Sequence, residues 1–92
     1  MAGDVMLVAE RLARQAAKAQ SRSQDLWRQQ AEVVEAIAVS EERIAATMAR
    51  LADEHPSRAV RLRAMSEQAS SYATEIRQRD HELRHRNRRA SS

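Results

Sequence analysis

Leu51-Ala52-Asp53-Glu54-His55-Pro56-Ser57-Arg58-Ala59 decides the fold of this 92-residue chain. Pro56 disfavours the α conformation at His55, because the pyrrolidine ring clashes with the preceding backbone. The same residue is welcome as the first residue of a new helix, where its missing N–H is not needed. It is the only proline, and the only glycine, Gly3, lies far away. The stretch therefore predicts a turn over residues 53–57 between two helices.

Outward from this turn, apolar residues match in mirror order. Leu51 pairs with Ala59, Met48 with Leu62, Ile44 with Met65, Ile37 with Tyr72, Val33 with Ile76 and Leu26 with Leu83. The polar interruptions match too: Ser40 falls near Ala69, Gln30 opposite Arg79 and Ser23 opposite Arg86. Spacings of three and four alternate along both arms, as one face of a helix requires. The pattern predicts an all-α antiparallel helical hairpin. Its first helix covers residues 4–53, with Asp4 as N-cap, and its second covers residues 56–88. Residues 1–92 form one helical domain, with 1–3 and 89–92 frayed as exposed termini are. Ser21-Arg22-Ser23 is the weak point of the first helix, because serine competes for backbone hydrogen bonds. A break there remains open, and with it a three-helix arrangement in which residues 4–20 fold back.

One small-residue seam between two helices offsets little of the conformational entropy of ordering so many residues. A second apolar line runs one position along, through Ala31, Val34, Ala38, Ala45 and Ala52, with Ala73 on the other arm. So wide a stripe suits a bundle better than a two-stranded contact. Residues 5–19 also extend beyond the span of the second helix, so Val5, Val8 and Leu12 lack a partner inside the hairpin. The expectation is a symmetric dimer, as a four-helix bundle or coiled coil. Its self-association residues are Val5, Val8, Leu12, Leu26, Val33, Val34, Ile37, Ile44, Met48, Leu51, Leu62, Met65, Tyr72, Ile76 and Leu83. Trp27, at the seam margin, is read as covering the bundle edge with its indole N–H in water. Tyr72 is read as core.

Charge is uneven. Residues 1–53 carry seven basic and eight acidic side chains, net −1, and residues 54–92 carry nine and five, net +4. Arg77, Arg84, Arg86, Arg88 and Arg89 form a candidate set for phosphate or an acidic partner. Against this, Glu75–Arg79, Asp80–Arg84 and Glu82–Arg86 have the i,i+4 spacing of ordinary helix-surface ion pairs. No aromatic platform accompanies the arginines, which disfavours single-strand stacking. Arg79 on the seam would meet Gln30 in a polar layer that fixes register.

Chemistry is sparse. The chain has no cysteine, so disulfides and thiolate metal sites are excluded. His81 and His85 share a helix face, and Glu82 with His85 has the Glu-x-x-His spacing of di-iron bundles. The facing positions Leu26, Ser23 and Gln30 supply no carboxylate, so neither a metal nor another cofactor is expected. His55 beside Asp53 and Glu54 is read as turn chemistry. There is no phosphate-binding glycine loop and no nucleophile motif. The expectation is a non-enzymatic assembly or adaptor module that binds protein, with no small-molecule substrate. Nucleic-acid association through the C-terminal arginines is the alternative. Met1-Ala2-Gly3-Asp4 lacks a basic n-region, and the apolar run from Val5 to Ala9 is too short for a signal core. Nothing approaches a membrane span, and a cytoplasmic setting is expected.

The length and hairpin topology resemble small secreted helical hairpins of the WXG type. Their Trp-x-Gly lies in the turn, where this chain has Asp53-Glu54-His55-Pro56-Ser57, and Trp27 is mid-helix. The resemblance is one of topology, and no site residue transfers. Helices this long also do not suit a helix-turn-helix DNA reader.

Overall fold

The computed structural model describes residues 2–91. Helix α1 spans Ala2–Glu54, a single 3-10 turn spans Pro56–Arg58, and α2 spans Ala59–Ser91. Among the described residues no strand occurs, and His55 alone is non-helical. The turn is tighter than the predicted 53–57, since Asp53 and Glu54 stay helical. The His55 N–H still donates to the Leu51 carbonyl at 2.9 Å, so the helical ladder continues to the last residue before proline. His55 then turns to φ −128°, ψ 77°, as a residue before proline must. The Arg58 N–H donates to the His55 carbonyl at 2.9 Å, closing the 3-10 turn that leads into α2.

Both helices are longer than expected. Residues 2, 3 and 89–91 belong to the helices, while Met1 and Ser92 lie outside the described residues. Asp4 is therefore not the N-cap. It sits in the first turn of α1, where a carboxylate complements the positive end of the helix dipole. Ser21-Arg22-Ser23 is helical throughout. With no Gly or Pro nearby, two serines are too weak a signal to end a helix.

The chain divides into two units, Met1–Gln30 and Ala31–Ser92. The described part of the first unit is one helical segment. Val5, Met6, Leu7, Val8, Leu12 and Leu26 are each more than half exposed on it, and Trp27 is partly buried. An Arg28–Asp25 ion pair lies one turn apart on its surface.

The second unit is an antiparallel hairpin, and its centre differs from the expected seam. The buried apolar residues are Ala38, Ala45, Ala52, Ala69 and Ala73, with no larger side chain among them. Ile37, Ile44, Met65 and Tyr72, expected at the centre, are between 42 and 47% exposed. The line of closest approach has thus moved one residue along α1, onto the alanines expected beside the seam. The Ser66 hydroxyl fixes the register by donating to the Ala45 main-chain carbonyl at 2.7 Å. Steps of seven residues each way from that pair bring Ala38 level with Ala73, Ala52 with Ala59 and Ala31 with Asp80. Every position on this line is Ala or Ser except Asp80. Small residues let helix backbones approach closely, whereas large ones hold the axes apart.

Candidate functional site

The alanine line splits the hairpin surface into two unlike flanks. At 100° per residue, Glu35, Glu42 and Asp53 fall to one side of it on α1, while Ile37, Ile44 and Leu51 fall to the other. On α2 the corresponding sets are Arg63 and Arg77, and Met65 and Tyr72.

The first flank is ionic and closed on itself. Arg77 donates from Nε to Glu35 Oε2 at 3.0 Å and from Nη2 to Glu35 Oε1 at 2.7 Å. The same Nη2 lies 2.6 Å from Glu42 Oε1, one heptad along α1. A planar guanidinium suits this bidentate geometry, which a lysine does not reproduce. The hydrogen bonds from Arg77 hold the Glu35 carboxyl below its ordinary value of 4.5. In turn, the bonds to Glu35 and then Glu42 push the Arg77 guanidinium further up. Near the turn Arg63 meets Asp53 at 3.3 Å.

The second flank is apolar and open. Ile44, Met65 and Tyr72 line a shallow groove with Glu41, Gln68 and Ala69. Ile37 and Val33 continue the apolar strip along α1, with Val33 more than half exposed. Val34, Met48, Leu51, Leu62 and Ile76 are half-buried. Of the residues expected to self-associate, the structure brings those of the second unit onto or beside this flank, except Leu83, which lies near the helix end beside Arg79, Glu82 and Arg86. Tyr72 is not core, because the alanine contact leaves no room for its ring between the helices.

The arginine set is changed by its partners. Arg77 is engaged with Glu35 and Glu42, and Arg84 pairs with Asp80. Neither presents a simple free cation to a phosphate. Arg79 does not form a buried polar layer on the seam: its side chain is 71% exposed and bonds Glu75 at 2.5 Å. The buried polar residue is its neighbour Asp80, at 3% exposure. Asp80 Oδ1 and Arg84 Nε are buried without a hydrogen-bond partner. The sequence pattern placed Asp80 in a helix-surface ion pair with Arg84 and did not mark it as buried. Its heptad relation to Ala59, Ser66 and Ala73 was the available signal.

The His81 and His85 rings stack with centroids 6.4 Å apart and an interplanar angle of 12°. Among the described residues no cluster of three or more His, Asp or Glu side chains is arranged to hold a metal, and no helix is long and apolar enough to cross a membrane. Comparison with protein-family models, characterised proteins and solved structures finds no match to this chain.

Proposed function

We propose that this chain is a non-enzymatic helical module that assembles with itself and thereby brings protein partners together. One observation carries the reading: among the described residues the buried apolar side chains are all alanines, while thirteen large apolar side chains stand exposed. A stable domain normally buries its Leu, Ile, Val and Met residues along with its alanines. Here the large residues other than Met6, Leu7 and Val60 follow the three-and-four spacing of one helix face, the pattern of helices that close against other helices.

The non-enzymatic part of the reading rests on the commitment of the paired charged groups to one another and on the shallowness of the grooves. Sedimentation equilibrium or multi-angle light scattering tests the proposal. A mass of twice 10.4 kDa or a higher multiple is expected, and a monomer mass across the micromolar range overturns it.

A further inference from the structure

In the first unit, residues 5–19 of α1 separate into two opposite faces. At about 100° per residue, Val5, Met6, Val8 and Leu12 share an arc of about 180° with five alanines, and no polar residue of the segment falls within it. The other half carries Glu10, Arg11, Arg14, Gln15 and Lys18, with Leu7 the one apolar residue among them. Arg22 continues this basic stripe one turn further. Arg11, Arg14, Lys18 and Arg22 lie within about 80° of one another, opposite the middle of the apolar arc. No acid occurs between Glu10 and Asp25, and Asp25 is engaged with Arg28. None of the four cations has an ion-pair partner among the described residues. Every residue from 3 to 26 is exposed.

We infer that this segment binds the surface of an anionic lipid membrane. It lies in the plane of the interface, with Val5, Met6, Val8 and Leu12 in the acyl boundary and the basic stripe reaching the headgroup phosphates. The mode is peripheral, since no described helix is long and apolar enough to cross a membrane. The inference concerns the first unit alone and does not depend on the self-association reading.

Three features select lipid over a protein. The apolar arc covers half the helix, whereas a single partner helix covers the narrower seam of two positions in seven. A planar apolar medium covers the whole arc. Beyond Leu12, moreover, the arc of the segment is alanine alone. A protein groove reads large anchors repeated along a helix, while a lipid surface needs apolar area and no pockets. Finally, residues 4–22 carry four basic and two acidic side chains, net +2, with both acids at the N-terminal end. An anionic headgroup layer supplies counter-charge to the stripe. A second copy packed on the apolar arc leaves those cations without any.

Flotation of the full chain with vesicles tests the inference. One set is phosphatidylcholine alone, and the other is equal parts phosphatidylcholine and phosphatidylserine. The chain should float with the mixed vesicles, partitioning at least about ten-fold more strongly than into phosphatidylcholine, and less so at high salt. Leu12→Glu should abolish flotation. Position 12 is exposed and glutamate is a good helix former, and circular dichroism verifies that the helix persists. Replacing Arg11, Arg14 and Lys18 together by Gln should erase the difference between the two lipids. Val60→Glu, at an exposed apolar residue of the second unit, should change nothing. Replacing Arg86 and Arg88 by Gln should also change nothing. Flotation that survives Leu12→Glu, or is equal for both lipids, overturns the inference. Loss on replacing Arg86 and Arg88 moves the contact to α2 and overturns it too. No flotation with either vesicle overturns lipid as the occupant, and a fall in solution mass on Leu12→Glu would then assign the arc to a second copy.

Discussion

The Ser66 hydroxyl donates to the Ala45 main-chain carbonyl across the hairpin at 2.7 Å. A side chain this short reaches the opposite backbone only if the two helices nearly touch, and alanine at 38, 45, 52 and 73 permits that. Ala45→Leu should therefore force the helices apart and cost about 1–3 kcal/mol through overpacking. Ser66→Ala keeps the close approach and removes one hydrogen bond, at about 1 kcal/mol. Urea unfolding followed by circular dichroism should rank Ala45→Leu as the more damaging of the two.

Asp80 occupies the same small-residue line and brings a buried carboxylate with one unpartnered oxygen. Its partner Arg84 is 40% exposed at the side chain. Asp80→Ala removes the buried charge and leaves Arg84 able to reach water, so stability should rise by about 1 kcal/mol. Arg84→Met strands the carboxylate and should cost about 3 kcal/mol. Equal effects of the two substitutions in thermal or urea unfolding would contradict this assignment.

Arg77 makes the ionic flank pH-sensitive. The folded-state pKa of Glu35 is depressed below 4.5, so its contribution is fully present above the unfolded value. It is lost as the pH falls through the folded value. Arg77→Gln should flatten the part of the stability profile that declines as the pH falls from about 6 toward about 3. The pair is exposed, so the same substitution should matter less at high salt. Urea midpoints across that range, with and without added salt, measure both effects.

The class of fold was legible in the residues. The mirrored apolar spacing about His55-Pro56 indicated two antiparallel helices, and the restriction that Pro56 places on His55 marked where the chain reverses. The Glu75–Arg79 and Asp80–Arg84 pairs followed from i,i+4 spacing alone, because local helix geometry brings such residues together whatever else the chain does. The candidate interaction surface was legible as a set of large apolar residues, but its position was not. Those residues were expected between the two helices, whereas the structure leaves them along one side.

Periodicity could not separate these arrangements. The line through Ile37, Ile44 and Leu51 and the line through Ala38, Ala45 and Ala52 share one seven-residue repeat and differ by a single position. The sequence by itself determined that two such lines exist, that the chain is helical and that it reverses at His55. Tertiary structure decided which line closes within the chain. Alanine allows the close backbone approach that the Ser66 bond uses. That same approach lets Arg77 reach Glu35 and Glu42 on one flank and leaves Ile44, Met65 and Tyr72 open on the other. These contacts join residues from 21 to 42 positions apart, so only the folded hairpin places them on opposite sides.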